Sequence, residues 1–434
     1  MTADLNHVDG LIPGLADARR VGQLHRYDGG VLRLPHLRHR RGPGVPQAVL
    51  PAVSPATGLL LSFATFGVGF VARPLGGIVF GHFGDRVGRK RMLVYSLLIM
   101  GGATVLMGLL PTYDQIGLAA PILLTLLRLA QGFAVGGEWG GATLMAVEHA
   151  AAERKGLYGA FPQMGAPGGT ACATLAFWAV SQLPDDQFLS WGWRIPFLAS
   201  AVLIAIGLAI RLSVTESPDF AALRERERVA RMPIAEAFRT HWRQILLVAG
   251  AYLSQGVFAY ICVAYLVSYG TTVAGIDRTH ALFGVALAAV VAVFSYPVCG
   301  ALSDRIGRLP VFLAGVIAMG LSVWPVFALI NTGSAVWFAV ALLLVFGFAM
   351  APAAGVTGSL FSLSFEPDVR YSGVSIGYTL SQVVGSAFAP TIAAALYAAT
   401  KTSDSIVAYL VAVSVISAIS AVLLQIVNNR RSVA

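Results

Sequence analysis

"GHFGDRVGRKR" spans residues 81–91, and "GALSDRIGR" spans residues 300–308. The first is a short polar segment between two long apolar runs, with one acid, Asp85, among Arg86, Arg89, Lys90 and Arg91. The second repeats its skeleton. Gly81 and Gly300, Asp85 and Asp304, Arg86 and Arg305, Gly88 and Gly307, and Arg89 and Arg308 each stand 219 residues apart. A looser echo sets "EHAAAERKG" (148–156) against "EPDVRYSG" (366–373). Two related halves in one apolar chain is the pattern of repeat-built membrane carriers, whose sites lie near mid-membrane between the repeats.

The rest of the chain fits that pattern. Of 434 residues, 56% are apolar and 12% charged, against roughly 25% charged in soluble domains. Apolar runs lie at about 58–80, 92–110, 117–147, 157–181, 192–212, 245–269, 281–302, 310–331, 335–364, 372–399 and 405–427. Each is long enough for one helical crossing. The expected class is therefore all-α, a polytopic protein of the lipid bilayer with about eleven recognisable spans. Connections 81–91, 149–156, 211–243, 303–308 and 366–370 and the tail 428–431 hold most of the Lys and Arg beyond residue 50. By the positive-inside bias they are cytoplasmic. The net charge of +9 is then a property of loops, and no nucleic-acid partner is expected.

The longest connection contains "ALRERERVARM", whose alternating Arg and Glu suit a solvated helix on the membrane surface. It divides the chain into an N-terminal bundle over 51–212, a linker over 213–243 and a C-terminal bundle over 244–434, preceded by an atypical segment over 1–50. Cys172, Cys262 and Cys299 are scattered within apolar runs, and His36 and His39 have no partner pair nearby. No disulfide framework, metal site or cofactor is expected from them. Nor is there a clustered nucleophile or metal set, so an enzyme is not expected.

On these residues the chain resembles the major facilitator superfamily. "GHFGDRVGRK" is similar to its signature loop between helices 2 and 3, and "SDRIGR" to the counterpart between helices 8 and 9. "RLAQGFAVGGEWGGATLMAVEHA" (128–150) resembles the fourth helix of one branch, the metabolite:proton symporters. "TESPDF" (215–220), "FPQMGAPGG" and "WGWRIPFL" add to the likeness, which runs from about Pro51 onward. That branch includes carriers of shikimate, 2-oxoglutarate, citrate, and osmolytes such as proline and betaine. The resemblance implies a twelve-helix plan in two bundles and proton-coupled import of a small organic acid by alternating access, in a cytoplasmic membrane and by a monomer. Uptake of a zwitterionic osmolyte is the alternative. Osmosensing carriers of that kind tend to carry a coiled-coil tail, and "NRRSVA" (429–434) has no heptads.

Gly81, Gly84 and Gly88 allow a tight turn. Asp85 can pair with a cation or cap a neighbouring helix when the cytoplasmic mouth is shut. Arg86, Arg89 and Lys90 mainly fix topology, and Asp304, Arg305, Gly307 and Arg308 repeat the set. Glu148 and Arg154 flank a cytoplasmic turn as gate or surface partners. Arg128 lies about ten residues into its apolar run, where a charge is costly unless paired or wet. The resemblance puts Arg128 and Gln131 in the fourth-helix motif. For Arg128 it leaves open a substrate carboxylate, a coupling bond to an acid of the first helix, or a structural salt bridge. Glu138, ten residues on, is expected to load and release a proton; at 3.6 residues per turn it need not share a face with Arg128. Gln163, Tyr260, Tyr265, Tyr378 and Gln382 are polar groups within spans, candidates for the central cavity or for interfacial positions.

Residues 1–50 depart from the superfamily, whose first helix is apolar and carries a Glu and an Asp. Here "RRVGQLHRYDGGVLRLPHLRHRRGPGVPQ" holds seven arginines and five glycines and cannot span. Its composition is that of a disordered or surface-bound arm, on the side the charge rule disfavours. Permitted codons from Gln23, read one base later, give N-F-I-G-T-T-V-E and then C-Y-D-F-L-I-Y-G-T-A-A-A-L-A-F, an apolar span holding both acids. A compensated pair of frameshifts over about residues 22–50 is the hypothesis; codons that give no such helix in any frame would end it. If the segment is real as written, a transport-defective variant is expected.

Overall fold

The structure is a computed structural model that describes residues 55–225 and 233–433. The expectations for residues 1–50, the shifted frame included, lie outside the described residues. Among the described residues eleven long helices follow one another: α1 (Pro55–Val87), α2 (Arg89–Leu109), α3 (Ala119–Glu148), α4 (Lys155–Val180), α5 (Ile195–Ser213), α6 (Pro233–Thr272), α7 (Arg278–Ile306), α8 (Arg308–Ile330), α9 (Ala335–Ser362), α10 (Arg370–Thr400) and α11 (Asp404–Val433). Each apolar run of the sequence is one of them, and there is no strand among the described residues. Nine are long and apolar enough by composition to cross a membrane, counted among the described residues. The other two are α1 and α4, the latter diluted by glycines and by Pro162 and Pro167.

The molecule is apolar on the outside. Leu321, Phe294 and Trp324 are more than two-thirds exposed, and α5 has no buried residue at all. In water that surface would associate; in hydrocarbon it is the solvent-facing side, and the helices satisfy their own backbone hydrogen bonds. Small residues fill the interior, with Ala251, Ala281, Ala288, Ala289, Ala292 and Ala353 wholly buried, as close helix packing in membranes requires.

The repeat is visible in the joints. α1 and α2 are separated by Gly88 alone, at φ +123°, and α7 and α8 by Gly307 alone, at φ +97°. A side chain at such φ is sterically penalised, so glycine lets the chain reverse in one residue. The second half has an irregularity the first lacks among the described residues. π turns interrupt α6 at Ile261–Tyr265, α9 at Leu343–Ala349 and α10 at Gln382–Ser386. Such turns bend helices and recur at functional positions.

The linker begins as a short helix, Pro218–Glu225; residues 226–232 lie outside the described residues. From Pro233 the chain is helical again and enters the membrane through a kink at His241.

Candidate functional site: reciprocal caps and a polar seam

The signature aspartates tie the halves together at their cytoplasmic ends. Asp85, in the last turn of α1, accepts hydrogen bonds from the backbone N–H groups of Tyr371 (3.1 Å) and Ser372 (2.8 Å), which open α10. Asp304, in the last turn of α7, accepts from Gly156 (2.7 Å) and Leu157 (2.9 Å), which open α4. Each carboxylate thus caps a helix of the opposite half. A helix N-terminus has unpaired N–H groups and a partial positive charge, so an anion there is doubly favoured. The glycines make room for it. A Cβ at Gly81 would sit 2.9 Å from the Cα of Ser372, and one at Gly300 would sit 2.7 Å from the carbonyl oxygen of Gly156. Gly84 is covered by the ring of Tyr371.

Around Asp85 lies a buried charge network. Arg89, with no exposed surface, pairs with Glu148 at the end of α3 and stands 3.8 Å from Asp85. Its guanidinium also donates to Ser217 Oγ (3.1 Å) and to the carbonyl of Pro367 (2.9 Å). Glu148 accepts from Arg370 of α10 at 2.7 Å, and Arg370 donates in addition to Asp219 (2.7 Å) and the carbonyl of Phe365 (3.1 Å). Ser217 donates to Glu148. Glu216 caps α2 by accepting from the backbone N–H groups of Arg89 and Lys90, both at 3.1 Å, and Lys90 Nζ reaches the carbonyl of Leu212 at 2.7 Å. Buried charges persist only when paired and hydrogen-bonded, and here each has at least two partners.

Of the predicted gate residues, Gly81, Gly84, Asp85, Gly88, Arg89, Lys90 and Glu148 meet at one junction, and Asp304 and Gly307 lie at the other. Arg86, Arg154 and Arg305 are exposed and take no part in the ion pairs among the described residues. Arg308 is half-buried, and its Nε has no hydrogen-bond partner among the described residues. The network therefore belongs to one junction, and the repeat carries over only the cap. Arg89 differs from the topological reading: burial and four partners make it structural. The sequence reading missed Glu216, Ser217, Asp219 and Arg370. "TESPDF" carries the first three only as a likeness, and no spacing marks Arg370 in the echo at 366–373 as a partner of Glu148.

Higher in the membrane, Arg128 donates to Gln131 (3.2 Å), whose amide donates to Thr104 (2.6 Å). These side chains and Arg73 line a cavity of about 380 Å³ among α1, α2, α3 and α5. Glu138 is elsewhere: it pairs with Arg211 at the end of α5, which also donates to the carbonyl of Leu93 at 2.5 Å. Its separation from Arg128 is the one the helical spacing allowed. Arg73, which the sequence reading passed over, reaches across the halves. Its Nη1 is 3.4 Å from the hydroxyl of Tyr260 on α6, its guanidinium lies 3.9 Å from the ring centre of Phe70, and its buried Nε has no hydrogen-bond partner among the described residues. The signal was available, since an arginine in the middle of the run 58–80 obeys the rule that singled out Arg128.

Between this arginine and the caps, aromatic rings fill the seam. Trp139 of α3 donates to Gln163 of α4 at 2.5 Å and stacks on Tyr378 of α10, with centroids 4.3 Å apart at 14°. Tyr378 accepts from Gln382 at 2.8 Å, and Tyr252 of α6 meets it edge-on at 4.9 Å. Gln163, Tyr378 and Gln382 thus form one cluster, to which the sequence reading had not joined Trp139 or Tyr252. Tyr260 belongs with Arg73, and Tyr265 packs on Tyr269 in the C-terminal core.

Two repeated helical bundles, apolar outside, clasped by reciprocal caps and polar along their shared seam, define a membrane carrier. The chain belongs to the Major Facilitator Superfamily, whose family model matches residues 42–390 and 282–432. It is 41% identical over 379 residues to the shikimate transporter of Escherichia coli (strain K12), covering 86% of each chain. It is 40% identical over 357 residues to the inner membrane metabolite transport protein YhjE of the same organism, covering 80% of each. It is 32% identical over 390 residues to the proline/betaine transporter of that strain, covering 88% of this chain and 78% of that one. The solved structure of the proton:xylose symporter XylE bound to 6-bromo-6-deoxy-D-glucose superposes with a TM-score of 0.71 over 87% of this chain and 88% of that one. At 15% identity that likeness speaks for the fold. The protein is a multi-pass membrane transporter, not an enzyme.

Proposed function

We propose that the protein imports a small organic acid together with protons by alternating access. The observation that carries the substrate class is Arg73. It is a guanidinium in the apolar run 58–80 carried by α1, it reaches from one half to the other, and neither it nor Arg128 forms an ion pair among the described residues. Burying a cation there is costly, and a carboxylate arriving between the halves offsets that cost. Because Arg73 on α1 meets Tyr260 on α6, an anion bound there touches both halves, as a cargo that drives their exchange must. The 41% identity to the shikimate transporter supports the same class. In this reading Asp85 and Asp304 release their helices when the cytoplasmic side opens, and Glu138 with Arg211 is the candidate proton-sensitive pair.

A second reading rests on Trp139, Tyr252 and Tyr378, whose clustered rings are the type of surface that receives a quaternary ammonium group, and on the 32% identity to the proline/betaine transporter. In this conformation Trp139 and Tyr378 stack on each other, so no ring face is open between them, and the acid reading is preferred.

The test is uptake into cells lacking their own carriers, over shikimate, dicarboxylates, tricarboxylates, aromatic acids and betaine. The expected result is uptake of an acid, collapsed by an uncoupler. Uptake of betaine alone would establish the second reading, and acid uptake that an uncoupler leaves untouched would remove proton coupling.

A further inference from the structure

A second cavity, of about 390 Å³, opens at the seam on the outer surface of the bundles, among α1, α6 and α10. Ile78 of α1, Trp242 and Leu246 of α6, and Ile376 and Leu380 of α10 form its walls. Thr379, the one hydroxyl among its described lining residues, already donates to the carbonyl of Ser375 at 2.7 Å. The other described lining side chains are aliphatic or aromatic and none is charged, so the walls suit an apolar chain. Trp242 is 49% exposed and Leu246 52%, so the cavity is open sideways. Ile376 and Leu380 follow the cytoplasmic start of α10 by six and ten residues, about 9 and 15 Å at the helical rise. That depth lies within the acyl region of one leaflet of a bilayer with about 30 Å of hydrocarbon.

The cytoplasmic end of the same α6 segment carries Arg239 and Arg243, both exposed. The Arg243 guanidinium lies 5.3 Å from the ring centre of Trp242, which itself lines the cavity. Neither arginine belongs to an ion pair among the described residues; Glu236 is the one acid in the preceding turn. We propose that this cleft seats an anionic phospholipid of the cytoplasmic leaflet, its phosphate on Arg239 and Arg243 and one acyl chain between α1, α6 and α10. Arginine suits a phosphate through its planar fork of donors, and juxtamembrane basic residues attract the anionic inner leaflet. The walls come from both halves, beside the contact where a Cβ on Gly77 would meet Thr379 Oγ1 at 2.9 Å. A chain lodged there favours the arrangement in which the cleft exists, with the cytoplasmic ends clasped, and so shifts the balance between the carrier's two states.

The experiment uses the full chain in nanodiscs of phosphatidylcholine doped with phosphatidylglycerol, in which either lipid carries brominated acyl chains that quench tryptophan. The chain has seven tryptophans, so the signal of Trp242 is the difference between the parent protein and Trp242→Phe. Brominated phosphatidylglycerol is expected to quench Trp242 severalfold more than brominated phosphatidylcholine at equal mole fraction. Arg239→Gln with Arg243→Gln is expected to abolish that preference and leave quenching by the bulk lipid unchanged. Both arginines are exposed, so folding is not at stake; counting retained phosphatidylglycerol by native mass spectrometry gives an independent readout that needs no tryptophan variant. Equal quenching by the two lipids, or a preference and retention that survive the double variant, would overturn the proposal.

Discussion

Asp85 and Asp304 show what a single carboxylate does at this interface. Each spans two backbone N–H groups at the start of a helix it does not belong to, and hydrogen bonds to a charged group contribute about 1.5–3 kcal/mol. An asparagine fits the same space but offers one acceptor oxygen and turns a second donor toward donors. Asp85→Asn or Asp304→Asn is therefore expected to loosen the cytoplasmic clasp without unfolding either half. Spin labels on Arg86→Cys and Glu366→Cys, both exposed positions, should show a longer distance distribution in the Asp85→Asn background; an unchanged distribution would deny the cap its role. Glu148 is different. It is shared by Arg89, which has no exposed surface, and Arg370; Glu148→Gln leaves Arg89 with Asp85 at 3.8 Å and Arg370 with the more exposed Asp219, and is expected to cost about 3–5 kcal/mol. The check is the thermal midpoint in detergent, which should fall much further than for Glu153→Gln, an exposed acid five residues on. At this scale the chemistry of Asp85 could be read from its isolation among basic residues. The partners of Arg89 could not, because Glu216, Ser217 and the carbonyl of Pro367 are brought in by packing that no local spacing encodes.

The helices themselves were the most legible part, since hydrocarbon permits few ways to satisfy a backbone and each apolar run of sufficient length has one outcome. The π turns in α6, α9 and α10 were not legible. Each adds a residue within a continuous apolar pattern, and composition does not register it. The one-residue joints offer a comparison of elements. Gly88 and Gly307 both have positive φ with extended ψ, a region close to glycine-only, so alanine at either carries a backbone penalty of about 1–3 kcal/mol. Beyond that they differ. A Cβ at Gly88 would lie 2.5 Å from Glu216 Oε2 and displace the cap of α2, whereas one at Gly307 would meet, among the described residues, only Pro310 at 3.5 Å. Gly88→Ala is expected to lower the thermal midpoint and the yield of folded protein more than Gly307→Ala. Equal losses would mean that the backbone term alone governs both joints.

For the whole molecule, the repeat announced two matched junctions, because the offset of 219 residues sets Asp85 against Asp304. It did not announce which helices they would cap, since an internal repeat relates each half to the other without stating how the halves touch. The observed pairing is crossed, and it weights the conformational balance toward closure at the cytoplasmic ends. If one lost cap removes about 1.4 kcal/mol from that closure, the balance moves about tenfold, and two lost caps move it about a hundredfold. A ligand's apparent affinity falls by the fraction of molecules in the competent state. The double variant Asp85→Asn/Asp304→Asn should then bind cargo more weakly from the outer face and no more weakly from the cytoplasmic face. Transport in right-side-out and inside-out vesicles separates the two directions. A weakening equal in both would place the aspartates' effect on the binding site or on folding, since a shift between two facing states must act in opposite senses on the two sides of the membrane.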